Sequence, residues 1–346
     1  MELDFSKDIQ IKSLFPQTEF EEKVISFLEN WFSDTKTVSV QTSGSTGVPK
    51  VFEIEKSRMQ SSAKMTCDFL GLKEGDTALI CLPVEYISGK MMMVRSIQRN
   101  LKLFIESPSA KPLSQLNQEI DFCAMSPLQV ENSLEQLHFI KKIIIGGAQV
   151  SESLKQKIAD ALQNTAYETT IYETYGMSET LSHIALKQIY PVSEEYFTLF
   201  EGVEISLDER ACLTIKAPQL NPEILQTNDL VELKNTQQFK FLGRFDNVIN
   251  SAGLKIYPEQ LEHFIKQKLS NEVVFLGLKD ETYGQKLVAV IEGEETDELK
   301  SQLSPILQEL SETFTKNHVP KQTFFLDKFP RLPNGKINRK ELLTLF

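Results

Sequence analysis

Three observations predict an α/β protein with a large N-terminal part and a small α+β C-terminal domain. Short apolar runs alternate with helix-patterned segments up to about residue 180. From about 190 to 242 the texture changes to turn-punctuated β segments, and beyond the junction near Asp246 helices and strands mix again. Strand–helix alternation builds a mainly parallel, helix-covered sheet, whereas closely spaced β segments build hairpins, here a β-rich subdomain. A chain of 346 residues also exceeds the size at which one hydrophobic core suffices. The predicted division is 1–245 and 246–346.

Taken in order, the expected strands of the first part are Val38–Val40, Val51–Ile54, Thr77–Leu82, Leu101–Ile105, Phe122–Met125 and Lys142–Ile145, with a further one at Thr169–Tyr172. The expected helices are Ser57–Leu70, Ser88–Arg99, Pro127–Leu137 and Ser151–Gln163, with Ser57, Ser126 and Ser151 standing where caps belong. "GVEISLDERACLTIKAP" and "DLVELKNTQQFKFLG" read as hairpins. The last part reads as a helix Pro258–Lys268, strands near Glu272–Leu278 and Lys286–Glu292, and a long helix Glu298–Lys316. A strand near Gln322–Leu326 and a closing helix Arg339–Leu345 complete it.

Composition excludes several function classes. A formal net charge of −11 argues against nucleic acid or an anionic membrane as the main partner. Cys67, Cys81, Cys123 and Cys212 show no paired spacing, which argues against a disulfide framework or a zinc site; the first three fall in apolar patterns and read as core. "MELDFSKDIQIKSLF" lacks the features of a secretory signal, and no apolar run approaches the ~20 residues that span a bilayer. The expectation is a soluble, cytoplasmic protein without membrane insertion.

The segment "QTSGSTGVPK" sets four hydroxyls, two glycines and a lysine between two expected strands. Either it is a plain turn or a cradle in which backbone N–H groups and hydroxyls hold phosphate. It is not a Walker A loop, because Pro49 stands where the second glycine of that loop belongs. Further along, "GGAQVS" follows an expected strand, where ligands of open sheets bind, and "YETYGMSETLSH" places an aromatic ring, a glycine and Glu179 in one loop. "TNDLVEL" sets Asp229 at a strand start, "GRFDNVINSAGLKI" crosses the expected junction, and "PRLPNGKINRKEL" carries Lys336 in a loop before a helix.

In this order, over residues 42–339, these motifs resemble the adenylate-forming superfamily of acyl-CoA synthetases, peptide-synthetase adenylation domains and luciferases. "LPVEYISGKMMMVRS" and "TYGMSETLSHIAL" are similar, within it, to the o-succinylbenzoate–CoA ligases of menaquinone biosynthesis. Three departures stand out. The hydroxyl-rich loop begins at residue 42, so much of the N-terminal part common in the superfamily is absent, which leaves the acyl pocket's wall open and favours a homodimer contact. Tyr86 replaces a frequent histidine. Asn228 replaces the glycine of T-G-D and tolerates the same turn geometry.

The resemblance implies ATP, Mg²⁺ and coenzyme A as reactants and cofactors, a small carboxylic acid as substrate, and a two-step reaction through an acyl-adenylate. Lys336 would bridge carboxylate and α-phosphate, its plain alternative being a surface lysine. Glu179 would hold Mg²⁺ together with Thr46. Thr42, Ser43, Gly44, Ser45, Thr46, Gly47 and Lys50 would hold phosphates. Gly146, Gly147, Ala148, Tyr175 and Gly176 would enclose adenine, Asp229 would take both ribose hydroxyls, and Arg244 would steady ribose or phosphate. Asp246 would be the hinge of a mobile C-terminal domain, bringing Gly253, Leu254 and Lys255 to the site for the CoA step. A second substrate carboxylate would find Tyr86, Ser88, Lys90, Arg95, Ser182 or His183, the last reading equally as a structural histidine. An aryl or short-chain acyl-CoA ligase, or a non-catalytic nucleotide-binding scaffold, are the rival readings.

Overall fold

The computed structural model describes residues 1–41, 51–163, 165, 168–332 and 337–346. Its largest element is a twelve-stranded mixed sheet. At its centre, Lys102–Ile105, Thr77–Ile80, Ile120–Met125, Ile140–Ile145 and Thr170–Gly176 run parallel in that spatial order. These strands are apolar on both faces because both are covered. Along Ile140–Ile145, Ile144 belongs to one core cluster while Ile143 and Ile145 belong to the other. Helices Lys56–Leu70 and Ile87–Gln98 cover the first face through Met59, Ala63, Cys67 and Met91–Val94, and Glu152–Leu162 covers the second through Leu154, Ile158 and Leu162. The alternation of strands and helices read from sequence is therefore the one observed.

Both expected hairpins form, Glu204–Leu207 with Cys212–Ala217 and Asn221–Leu233 with Gln238–Arg244, and they belong to the same sheet. His183–Tyr190, Phe197–Leu199, Gln238–Arg244, Asn221–Leu233, Cys212–Ala217 and Glu204–Leu207 continue the parallel strands as one antiparallel extension. Strands Thr37–Gln41 and Val51–Glu55, expected among the others, form their own antiparallel pair, with Gln41 opposite Val51 across residues 42–50. At the N-terminus, helix Glu19–Trp31, capped by Thr18, buries Phe20, Val24, Phe27, Leu28 and Trp31 in the first core.

Past Asp246, a five-stranded sheet carries two cores of its own, built on Ile249, Leu261, Ile265, Phe275, Leu303 and Leu310 on one face and on Val274, Val288, Val290 and Leu342 on the other. Strand Gln322–Leu326 pairs parallel to Gly284–Glu292.

Local readings are corrected in two places. Ser57 caps nothing: helix Lys56–Leu70 starts one residue earlier, after Glu55, with no side-chain cap. The expected helix Pro127–Leu137 ends at Glu131 and is followed by a 3-10 segment Leu134–Phe139, although Ser126 and Gln129 do form a full capping box at its start. Asn132 and Ser133, residues whose side chains compete for backbone groups, stand at the break.

Candidate active site

A pocket of about 1230 Å³ opens at the carboxyl ends of the parallel strands, under helix Pro258–Lys266. Loops gather at this edge of such a sheet, so ligands bind there. The structure brings together on its walls Tyr86, Ser88, Arg95, Gly146, Gly147, Ala148, Tyr175, Gly176, Ser182, His183 and Asp229. These come from four separate sequence segments, 86–95, 146–148, 175–183 and the strand at Asp229.

The wall beside the hairpin extension is built around Asp229, which is 7% exposed. Its backbone N–H donates to Thr227 Oγ1 at 3.0 Å, and Thr227 in turn donates to Leu213 O at 2.7 Å. Tyr175 Oη donates to one carboxylate oxygen at 2.5 Å and Arg244 Nη1 to the other at 3.2 Å. Burial first, then the Asp229 charge, pushes the Tyr175 phenol far up, so it remains a donor at every working pH. The Tyr175 ring packs among Phe197, Phe239 and Phe241 with centroids 5.7, 4.9 and 6.5 Å away. It is both a core aromatic and a pocket wall.

Backbone geometry explains two glycines. A Cβ on Gly176 would sit 2.4 Å from Ser182 O and 2.5 Å from His183 Cα, so only glycine lets the two strand ends close. Gly147 takes φ +88°, a left-handed conformation that glycine adopts without strain. Between the strands, the 3-10 turn Ser178–Thr180 is followed by buried Leu181 at φ +66°, ψ −49°. That costly backbone turns Ser182 and His183 inward.

A second part of the lining is a buried polar cluster. Arg95, 2% exposed, donates from Nη2 to Ser182 Oγ at 3.0 Å, while its Nε has no partner. No carboxylate forms an ion pair with it among the described residues. Burial lowers its pKa to about 10, which leaves the guanidinium charged at neutral pH. His183 Nδ1 lies 3.2 Å from Ser182 Oγ and Nε2 lies 3.1 Å from Thr66 Oγ1. Burial, with the Arg95 charge, holds this imidazole well below its ordinary pKa.

Other expected residues fall elsewhere. Lys90 is spent on Val84 O at 2.5 Å and Glu85 O at 3.4 Å, and it does not line the pocket. Arg244 reaches Asp229 from outside and also pairs with Asp246 at 3.3 Å. Asp246 sits in the 3-10 turn Phe245–Asn247, where Asn228 Nδ2 donates to both its oxygens at 3.1 and 3.3 Å. Gly253, Leu254 and Lys255 form the tip and return of the hairpin Ile249–Ser251/Leu254–Ile256, away from the pocket lining. Glu179 is exposed in the turn next to Ser178, which lines the pocket. Thr42, Ser43, Gly44, Ser45, Thr46, Gly47, Lys50 and Lys336 lie outside the described residues. Among the described residues of that region, Arg331 bridges to Ile337, and Arg339 pairs with buried Glu262, which also accepts from Phe275 N at 2.7 Å.

Sequence reading missed three participants. Thr66 lies mid-helix, and a threonine there signals nothing until its partner across the fold is known. Buried Glu173 accepts from Val150 N at 3.0 Å and pairs with Lys187 at 3.0 Å beside the pocket; a carboxylate two residues before the Tyr175–Gly176 step was the available signal. Glu152 meets His263 of the covering helix at 3.3 Å, a contact between residues too far apart in sequence to be read locally.

The geometry has counterparts. A family profile described as AMP-binding enzyme matches residues 33–207. A solved acyl-CoA synthetase (AMP-forming)/AMP-acid ligase II-like protein from Dyadobacter fermentans is 32% identical, with TM-score 0.67, over 100% of this chain and 99% of that one. The curated 2-succinylbenzoate–CoA ligase of Listeria monocytogenes is 26% identical over 94% of this chain and 73% of its own length. The o-succinylbenzoate coenzyme A synthetase of Bacillus subtilis, solved with ATP and magnesium ion, is 21% identical and shares the fold with TM-score 0.70 over 88% of this chain and 69% of that one.

Proposed function

Since the chain belongs to the AMP-binding enzyme family, we propose that it is an AMP-forming acid–CoA ligase whose acid is 2-succinylbenzoate. The observation that carries the choice of acid is the buried Arg95 guanidinium, with no carboxylate partner among the described residues, in the lining of the same pocket as Asp229. An isolated buried charge is costly unless a ligand pairs with it. A monocarboxylic substrate would spend its one carboxylate on adenylation and leave Arg95 bare. A diacid supplies the missing partner, and a guanidinium suits a carboxylate's geometry.

The reaction then has two displacements. One carboxylate oxygen of the acid attacks the α-phosphorus of ATP, and pyrophosphate leaves. The thiol sulfur of CoA then attacks the acyl carbon of the mixed anhydride, AMP leaves, and the thiol proton passes to solvent. Asp229 accepts from the ribose hydroxyls, and the Tyr175 ring with the Gly146–Ala148 backbone forms the two walls of an adenine slot. The first step brings two anions together, so charge compensation sets its barrier; this is the work assigned to Lys336. Among the described residues no cluster of three acidic or imidazole ligands exists, and none is required. Mg²⁺ on a nucleotide takes one or two carboxylates plus phosphate oxygens, and the exposed Glu179 beside the pocket fits that place. Bound there, the ion would neutralise phosphate charge.

The test is acid-dependent exchange of labelled pyrophosphate into ATP, followed by AMP release with CoA. Exchange supported by 2-succinylbenzoate well above that by benzoate or a short fatty acid is expected. A higher kcat/KM with either of those would transfer the assignment to an aryl or short-chain acyl-CoA ligase, and no exchange with any acid would leave only nucleotide binding.

A further inference from the structure

Beginning at the pocket lining, Arg95, Ser182, His183, Thr66 and the Ser62 carbonyl stand in one hydrogen-bonded line. The direction of every bond in it can be assigned. A guanidinium only donates, so Ser182 Oγ accepts from Arg95. At the other end, the Thr66 hydroxyl donates to Ser62 O at 3.1 Å, so Thr66 Oγ1 must accept, and His183 Nε2 carries the hydrogen. A buried imidazole beside a guanidinium stays neutral, because a second positive charge there would be desolvated and repelled. A neutral ring with Nε2–H has a bare Nδ1, which takes the Ser182 hydroxyl hydrogen. Both ring nitrogens are thus consumed by the protein, and none remains for a ligand.

We propose that His183 is a positioning residue for recognition of the second carboxylate: through Ser182 it holds the Arg95 guanidinium in place, without touching the substrate. The proposal rests on the reading that Arg95 pairs with that carboxylate. Ser182, its hydrogen committed to His183, can offer Arg95 only a lone pair. One Nη2 hydrogen is thereby committed to the protein, which holds the guanidinium in place in the pocket lining. Releasing His183 lets the serine hydrogen turn elsewhere and frees the guanidinium to rotate, which weakens binding of the diacid and leaves the adenylation chemistry alone.

The experiment measures kcat and KM of the full chain with 2-succinylbenzoate and with 3-benzoylpropionate, which lacks the ring carboxylate. His183→Leu and Thr66→Val are expected to raise KM for the diacid about tenfold, the scale of one lost hydrogen bond, with kcat and the monoacid KM nearly unchanged. His183→Asn, whose amide oxygen can replace Nδ1 as acceptor, is expected to restore most of the loss. Nitrogen NMR of the parent reads the tautomer directly, with Nδ1 in the unprotonated range and Nε2 in the protonated range. Equal KM increases for both acids, no increase at all, or a proton on Nδ1 overturns the proposal. Arg95→Met separates the two layers. An unchanged diacid KM in that variant refutes the assignment of Arg95 itself, whereas a large increase there beside no effect of His183→Leu refutes the positioning role alone.

Discussion

Replacing Tyr175 with phenylalanine tests whether its hydroxyl serves the protein or the nucleotide. In the free protein the hydroxyl donates to a carboxylate oxygen of Asp229 at 2.5 Å, and Asp229 is 7% exposed. Hydrogen bonds to charged groups contribute ~1.5–3 kcal/mol, and a buried acceptor stripped of its partner loses that amount. Arg244, 3.2 Å from the other oxygen and half exposed, recovers little of it. The variant's free form should therefore lose about 2 kcal/mol, or about 3 °C in Tm for a chain of 346 residues, because unfolding entropy grows with length. The ring and its aromatic neighbours stay, and a bound ribose brings hydroxyls that can fill the vacancy on Asp229. Saturating ATP should then return most of the lost Tm, giving a larger ATP-induced shift than in the parent. Differential scanning calorimetry with and without ATP reads both quantities. An unchanged free-state Tm together with a tenfold weaker ATP affinity would refute this reasoning and place the hydroxyl on the nucleotide.

Three other outcomes are expected. Lys336→Ala should lower acid-dependent pyrophosphate exchange ~10²–10³-fold, the usual effect of deleting one charge-stabilising group, yet leave thioester formation from supplied acyl-adenylate largely intact; exchange at the parental rate removes Lys336 from the first step. Gly89→Ala would set a Cβ 2.2 Å from Pro83 O, at the start of the helix that carries Arg95. The helix must shift, and kcat/KM for the diacid should fall more than for the monoacid, with equal losses arguing against a directional effect. His183 is held neutral below its ordinary value of 6.5, so the unfolded chain binds the extra proton first. Its stabilising contribution is complete above about pH 6.5 and drains away as pH falls, by ~1.4 kcal/mol per pH unit. Urea denaturation from pH 7 to 5 should show a shallower decline for His183→Asn than for the parent; parallel declines would mean that the ring is solvated.

Much of this was legible in the sequence because it is written in local patterns. "KKIII" reads as a doubly covered strand whichever face each isoleucine takes, and "SPLQ" spells a capping box that the structure contains. The residues proposed for the adenosine side stand in recognisable motifs because such roles depend on backbone geometry that a few residues specify. What stayed hidden depends on distance. Lys90 and Arg95 are equally cationic on paper; one ends on backbone carbonyls and the other faces the pocket, and only helix packing decides which. Thr66 meets His183 across 117 residues. The N-terminal helix Glu19–Trp31, absent from the expected elements, carries an apolar stripe that becomes meaningful only once the sheet face it covers is known.

The unbroken ladder from Lys102–Ile105 to Glu204–Leu207 has a mechanical corollary. Strand Ile140–Ile145, which leads into Gly146–Ala148, and the strands that carry Asp229 and Phe241 are rungs of the same hydrogen-bonded plate, so these two sides of the pocket are tied together. The helix Pro258–Lys266, which meets Glu152 through His263, lies outside that plate, so it can shift over the pocket without breaking a single rung.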